Sequence, residues 1–387
     1  MQTEPGLTRV MIVGGGTAGH VEPGIAIGEE LVRRGLSSSQ VHFVGSERGV
    51  EVTLVPAAGF AQTLLPGRGI QRRLTFANVG SIIGLLKAFM TAGKLIRTEK
   101  PDVVVSLGGY ASVPAGLWAG LRRVPVIVAE QNAVPGLANR VISKLSEACA
   151  TSFPNTALPR AVVTGNPVRA EILAVADTWS GPRAEARQRL GIAPDEFFVP
   201  AFGGSLGAGS INDAVLEAMP SLLDKGITVR HIVGSRNHAA IAKKSSALSE
   251  QQGPGRYELV EYEHDMATVL AAADLAICRA GATTCAELAV IGVPALMVPL
   301  PNAPADHQMA NAQAMAAVGA VEVIADPILD GTLLVQSIER LRHASGVLRQ
   351  MSSSALSLAR PKAAAAVVNL TAPYLDEIEP IATDQDL

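Results

Sequence analysis

Aromatic side chains are scarce in this sequence: Phe, Trp and Tyr together fill 4% of its 387 positions. Its cores must therefore be aliphatic, and 37 glycines suit short βα turns and helices packed closely on a parallel sheet. Cysteine is rarer still. Cys149, Cys278 and Cys285 are odd in number and show no CxxC spacing, which argues against a disulfide framework or a zinc site and fits a reducing cytoplasm. Neither sign of charge is in excess, and a formal net charge of -3 argues against bulk nucleic-acid binding, which needs a basic surface. Long apolar runs are missing too. The run before Gly14 covers only Val10–Val13, too short for the core of a signal peptide. The longest uncharged stretch, from Leu288 to Ala305, contains Pro294, Pro299, Pro301 and Pro304, a density that no lipid-spanning helix tolerates.

What is present points to two domains, because the chain exceeds the roughly 250–300 residues at which one hydrophobic core stops growing. Val10–Val13, Val41–Val44, Val103–Ser106 and Val124–Ala129 are short β-branched runs separated by helix-length segments, the pattern of parallel strands. The second half repeats it with Phe197–Phe202, Thr228–Val233, Leu259–Glu261, Leu275–Cys278 and Ala295–Val298. The fold class is α/β, with two doubly wound sheets. Gly165-Asn166-Pro167 marks the boundary, since Pro167 biases Asn166 away from helix. Ser352–Leu370 reads as helix, and the stretch from Asp376 to Leu387, with five acidic and no basic residues, as a disordered tail.

Three glycine-rich turns follow strands: Gly14-Gly15-Gly16-Thr17-Ala18-Gly19-His20, Gly108-Gly109-Tyr110, and Gly203-Gly204-Ser205-Leu206-Gly207. Glycine lets the main chain turn sharply and bring its amides close to phosphate or sugar oxygens. The first turn also satisfies the dinucleotide GxGxxG pattern, but a nicotinamide enzyme wants an acidic residue closing its second strand, and here Gly45-Ser46 follow instead. One nicotinamide site does not need three such turns, although each alone serves equally well as a tight βα turn. In the second half, Cys278-Arg279-Ala280-Gly281-Ala282 leads from a strand into a helix bearing Glu287, whose carboxylate can accept two hydrogen bonds from a ribose diol or simply favour the helix dipole. Asp306–Asn311 follows in a proline-rich loop, where polar side chains such as Gln308 could read sugar hydroxyls.

Taken in order, the segments GGGTAGH (14–20), GGYASVPAG (108–116), EQN (130–132), GNPVR (165–169), GGSLGA (203–208), RAGATTCAE (279–287) and DHQMANA (306–312) resemble the MurG family of UDP-N-acetylglucosamine:undecaprenyl-pyrophosphoryl-MurNAc-pentapeptide N-acetylglucosaminyltransferases, over nearly the whole chain. The resemblance implies a GT-B fold, two Rossmann-like domains facing a cleft. It divides the chain into an acceptor and membrane-associating domain (1–166), a donor domain (167–350), a helix crossing back to the first domain (351–375) and the acidic tail. By the same resemblance Thr17, Ala18, Gly19 and Asn132 face the sugar, Arg169 and Ser205 approach the diphosphate or ribose, and Ala282 lies in the donor site. Glu287 holds the ribose, Gln308 reads the sugar, and the uracil rests on main chain near Glu263. Gly15, Gly16, Gly108, Gly109 and Tyr110 form acceptor or phosphate loops. The sequence departs from the family pattern at Ala129, where histidine is usual, and in the longer Pro301–Ala305 segment.

Inverting transfer requires a base for the acceptor's 4-hydroxyl and stabilisation of the departing diphosphate. His20, which closes the first turn and ordinarily titrates near neutrality, is the first candidate and Glu130 the second. No DxD motif precedes Asp384-Gln385-Asp386, so no metal and no other cofactor is expected. The implied partners are UDP-N-acetylglucosamine and the undecaprenyl-linked MurNAc-pentapeptide, with no nucleic acid. The implied location is the cytoplasmic side of a bacterial membrane, held peripherally. Arg68, Arg72 and Arg73 precede apolar positions that include Leu74, Ile82 and Phe89, and the uncharged run from Leu74 to Leu86 is too short to span a bilayer. It reads either as a surface helix on anionic lipids or as a buried helix of the first domain. The rival readings are a UDP-N-acetylglucosamine 2-epimerase, set apart by the Arg68–Arg97 stretch, and a non-catalytic sugar-nucleotide sensor.

Overall fold

The computed structural model describes residues 8–66, 77–176, 182–204, 207–249 and 254–384. The chain divides into two compact units, Met1–Arg169 with Arg360–Leu387, and Ala170–Ala359. In the first unit the strands β1 (Val10–Gly14), β2 (Val41–Ser46), β3 (Ala61–Leu65), β4 (Val103–Gly108), β5 (Val126–Glu130), β6 (Ala148–Thr151) and β7 (Ala161–Val163) form one sheet in the order β3-β2-β1-β4-β5-β6-β7. Every pairing in it is parallel. Its helices are α1 (Ala18–Arg33), α2 (Glu51–Ala57), α3 (Ala77–Glu99), α4 (Ser112–Leu121) and α5 (Leu137–Ile142). Successive side chains of a strand point to opposite faces, and the core follows that alternation. Val10, Ile12, Val103 and Val105 pack on one face with Ile27 and Leu31 of α1, whereas Met11, Val13, Val104 and Val126 pack on the other with Ala88 and Ala92 of α3 and Ala115 and Ala119 of α4.

The second unit contains α6 (Ala170–Ala174), α7 (Pro182–Leu190), α8 (Gly209–Asp224), α9 (His238–Ser249), α10 (Met266–Ala272), α11 (Ala282–Ile291), α12 (His307–Ala316), α13 (Gly331–His343) and α14 (Val347–Ser357). Its sheet, β8 (Phe197–Phe202), β9 (Ile227–Ile232), β10 (Tyr257–Val260), β11 (Ala276–Cys278), β12 (Ala295–Met297) and β13 (Val321–Val323), runs β10-β9-β8-β11-β12-β13, again parallel throughout.

The sequence reading misses β3, β6, β7 and β13. Strands β3 and β7 are edge strands whose side chains are mostly half-buried or exposed, and β6 is built from Ala-Cys-Ala-Thr, so none shows the β-branched run of a central strand. The helix expected over Ser352–Leu370 is two helices. Pro361 follows a break after α14, and α15 (Ala363–Asn369) packs on α1 in the first unit. The tail expected to be disordered is docked as far as Asp384. Leu375 and Ile378 are buried in the α1 face of the sheet, Glu377 pairs with Arg9, and Asn369 donates to the Ile381 carbonyl at 2.7 Å. Among the described residues no helix is long and apolar enough to cross a membrane.

Candidate functional site

In an open parallel sheet, ligands bind beyond the carboxyl ends of the strands, where the strand order reverses. In the first unit that point lies between β1 and β4, and the turns leaving these two strands are the first two glycine motifs. The pairing of β1 with β4 shifts register between Val13 and Gly14, so the strand ends in an irregularity that starts the turn. The two turns touch: the amide of Gly15 donates to the carbonyl of Gly108 at 3.4 Å, and a Cβ on Gly109 would lie 2.5 Å from the Gly15 carbonyl oxygen. Gly109, at φ +82°, is therefore required both by its conformation and by this approach.

Gly16 directs its amide at the carboxylate of Glu51, 2.9 Å away, rather than outward as an anion cradle requires. Thr17 and His20 follow, their side chains joined by Thr17 Oγ1 to His20 Nδ1 at 3.0 Å, while Ala18 and Gly19 form the first residues of α1. Tyr110 donates its hydroxyl to the Pro66 carbonyl at 3.1 Å, and burial pushes its pKa above the usual value. Glu130, at the end of β5, is buried. It accepts from the amides of Asn132 and Gly136, both at 3.0 Å, and from the side chain of Asn139 at 2.9 Å. Those bonds tie down the 130–139 loop and hold Asn132. They engage both oxygens of the Glu130 carboxylate, the second candidate base. Ala129 lies in the core beneath it. Arg169 sits 3.4 Å from Glu22 of α1.

In the second unit the order reverses between β8 and β11, and the loops leaving those strands are the remaining two motifs. Ser205 lies outside the described residues. Helices α8 and α11 begin there, and their N-cap residues Ala208 and Gly281 supply no side-chain cap, whereas α10 and α13 are capped by Asp265 and Asp330. The first-turn amides of α8 and α11 are thus open to an anion at this end of the second sheet, as are those of α1, whose N-cap Thr17 makes no side-chain cap bond, in the first. Ala282 is the first residue of α11, Glu287 is buried five residues on, and the Thr283 hydroxyl, which the sequence reading passed over, finds no partner among the described residues. Gln308 of α12 accepts from the Leu300 amide through Oε1 at 2.9 Å, leaving its amino group to donate. Asn311 is buried and donates to the Ala280 carbonyl at 3.1 Å, which ties α12 to the RAG turn.

Sequence reasoning also missed what Arg279 does. Its guanidinium is buried at the end of β11 and donates to the carbonyls of Val298 and Pro299 at 3.0 and 3.2 Å, to Asp326 at 2.5 Å and to the Ser210 hydroxyl at 3.0 Å. One side chain thereby joins the segments leaving β11, β12 and β13 to the start of α8. Near the expected uracil site, Glu263 pairs with Arg230 at 2.8 Å and accepts from the Asp265 amide at 3.0 Å.

Of the expected membrane residues, Arg68, Arg72, Arg73 and Leu74 lie outside the described residues, as does the side chain of Ile82. The Phe89 ring stacks on Trp118 with centroids 5.2 Å apart, so it packs against α4 rather than facing outward. The exposed apolar side chains on this side of the sheet are others: Leu86 and Met90 of α3, Leu121 of α4, and Leu137 and Val141 of α5.

Comparison with known proteins agrees with this architecture. Residues 10–151 match the glycosyltransferase family 28 N-terminal domain, and residues 198–367 match the family's C-terminal domain. A UDP-N-acetylglucosamine–N-acetylmuramyl-(pentapeptide) pyrophosphoryl-undecaprenol N-acetylglucosamine transferase of Caldanaerobacter subterraneus subsp. tengcongensis is 35% identical, covering 94% of this chain and 98% of the relative. One of the same name from Acetivibrio thermocellus is 37% identical, covering 90% of this chain and 94% of its own. The crystal structure of Acinetobacter baumannii MurG superposes with a TM-score of 0.73 at 29% identity, covering 94% of this chain and 99% of that one. A UDP-GlcNAc 2-epimerase of Neisseria meningitidis reaches a TM-score of 0.65 at 15% identity, covering 95% of this chain and 100% of its own, a likeness of fold alone. With both halves matched and relatives aligned almost end to end, the chain belongs to glycosyltransferase family 28.

Proposed function

We propose that the protein transfers N-acetylglucosamine from UDP-N-acetylglucosamine, with inversion, to the 4-hydroxyl of a MurNAc-pentapeptide carried on undecaprenyl pyrophosphate. The observation that carries this reading is the placement of the family motifs on the strand ends of both reversal points, in a chain aligned over 94% of its length with a transferase of that name. In this reading the second unit holds the donor. The amides of α8 and α11 receive the diphosphate as its charge develops, Glu287 accepts from the ribose diol, and the Gln308 amino group donates to a sugar hydroxyl.

The first unit acts on the acceptor. In the tautomer in which His20 Nδ1–H donates to Thr17 Oγ1, 3.0 Å away, Nε2 is the atom that removes the proton from the attacking hydroxyl. Glu130 holds Asn132, whose amide donates to it at 3.0 Å. The test is UDP release on mixing the protein with UDP-N-acetylglucosamine and a MurNAc-pyrophosphoryl lipid. Release should require both, and epimerised sugar nucleotide without acceptor would place the chain with the epimerases instead.

The membrane role forms part of the same proposal. Leu86, Met90, Leu121 and Leu137 are 60–78% exposed, and exposed Arg122, Arg140 and Lys144 stand on the same helices or just beyond them. A basic, apolar face of this kind suits the surface of an anionic leaflet, each cation adding about 1 kcal/mol. Sedimentation with phosphatidylglycerol vesicles at low salt is expected, and it should weaken in the variant with Arg122, Arg140 and Lys144 all changed to Glu. Equal sedimentation of the two proteins would count against this face.

A further inference from the structure

Glu51 opens α2 five residues after Ser46 ends β2, and nothing in the family motifs includes it. It is 1% exposed. Its Oε1 accepts from the Ser46 amide at 2.7 Å and the Ser46 hydroxyl at 3.0 Å, and its Oε2 accepts from the Gly16 amide at 2.9 Å. A methyl group on Gly15, Gly45 or Gly49 would overlap the Glu51 side chain, so three positions forgo side chains to admit one charge. Among the described residues no ion pair neutralises it. A carboxylate removed from water in this way costs several kcal/mol unless donors fill its lone pairs, and two loops supply them here. In dinucleotide enzymes an acid beyond the second strand faces outward to a ribose diol. Glu51 turns inward, onto the first glycine turn.

We propose that Glu51 is a positioning residue for the transfer reaction, acting through His20. This rests on His20 being the base. By gripping Gly16, the carboxylate fixes the turn so that Thr17 and His20, one and four residues on, meet at the geometry that proton removal needs. The same bond withdraws the Gly16 amide from any phosphate. A negative charge behind the turn opposes an anion on it and favours the imidazolium formed when His20 takes the proton. The Gly16 amide therefore serves the turn and its histidine, not a diphosphate.

The test combines steady-state kinetics of the full chain with calorimetric titration of UDP. Glu51→Gln keeps the shape but has one acceptor oxygen, so its amino group must face either the Ser46 or the Gly16 amide. It should lower kcat about tenfold or more and leave UDP affinity within about twofold. Gly49→Ala keeps the charge but displaces the carboxylate, and should show the same split. Because Glu51 acts through His20, adding Glu51→Gln to His20→Ala should cost less than about a further twofold. Unchanged kcat in Glu51→Gln, an additive loss in the double variant, or a parallel loss of kcat and UDP affinity in both single variants would each overturn the proposal. Wild-type turnover in His20→Ala is a separate outcome. It would remove the base assignment, and with it the route by which Glu51 acts.

Discussion

The two units solve the same problem with charges of opposite sign. In each, a buried charged side chain at the strand ends ties neighbouring loops together through their main chains. In the first unit the ion is the Glu51 carboxylate, which accepts from the amides of Gly16 and Ser46. In the second it is the Arg279 guanidinium, which donates to the carbonyls of Val298 and Pro299. An anion that organises a loop engages its N–H groups, whereas a cation engages its C=O groups and leaves the N–H groups for a ligand. On the proposed reading, two sheets of like topology thus divide the labour, the second holding the donor's diphosphate and the first the base.

If the division of labour holds, His20→Ala should lower turnover about 10²–10⁴-fold, the usual contribution of a base, with no change in UDP affinity by calorimetry. A variant that lost UDP affinity in step with turnover would erase the distinction between the units. Arg279→Met removes the cation from the second crevice and leaves Asp326 without its partner, and breaking a buried pair costs about 3–5 kcal/mol. A fall of that size in urea unfolding is expected, together with loss of UDP binding. Wild-type UDP affinity in a folded Arg279→Met protein would show that the guanidinium does not shape the donor loops.

The next effect concerns the buried histidine of the second unit. His231 bridges the Tyr257 hydroxyl at 2.9 Å and the Asn212 side chain at 3.0 Å, and burial pushes its pKa down to about 4. In the unfolded chain it titrates near 6.5, so folding favours the neutral ring. That stability is fully present above pH 6.5 and is lost as the pH falls toward 4, by about 3 kcal/mol in total. Melting curves of wild type and His231→Gln should differ in acid slope across this window, and parallel slopes would refute the assignment. The smallest effect is that of Glu287→Ala, which should weaken UDP binding by about 1–3 kcal/mol by leaving buried hydrogen-bonding groups unmatched. Unchanged affinity would remove Glu287 from the nucleotide site.

How much of this was legible in the sequence depends on how local each signal is. The strand–glycine–helix turns announce themselves within about ten residues, and all four fall at the reversal points of the two sheets. Glu51 left only a faint trace, an acid among Gly45, Gly49 and Ser46, because its target lies 35 residues back at Gly16. Arg279 stood inside a recognised motif, yet its partners come from Ser210, Val298, Pro299 and Asp326, which no spacing rule connects. The acidic tail misled because composition speaks only for a segment by itself. Its partners Arg9 and Asn369 and the apolar pocket for Ile378 lie elsewhere in the chain. Phe89 shows the same limit, since the apolar pattern of a helix does not say which of its faces meets Trp118.

The return of the chain to the first unit at Arg360 also sets an order of assembly. The core on the α1 side of that sheet includes Val367, Val368, Leu375 and Ile378, which leave the ribosome after the whole of the second unit. At about 5–20 residues per second, the whole of the second unit must be synthesised, over tens of seconds at the slower rates, before those side chains arrive. Throughout that interval Ile27, Leu31 and Phe43 belong to a core lacking its final members. The nascent first unit is thus an unfinished fold presenting an apolar face, sealed only when the segment that begins at Arg360 emerges.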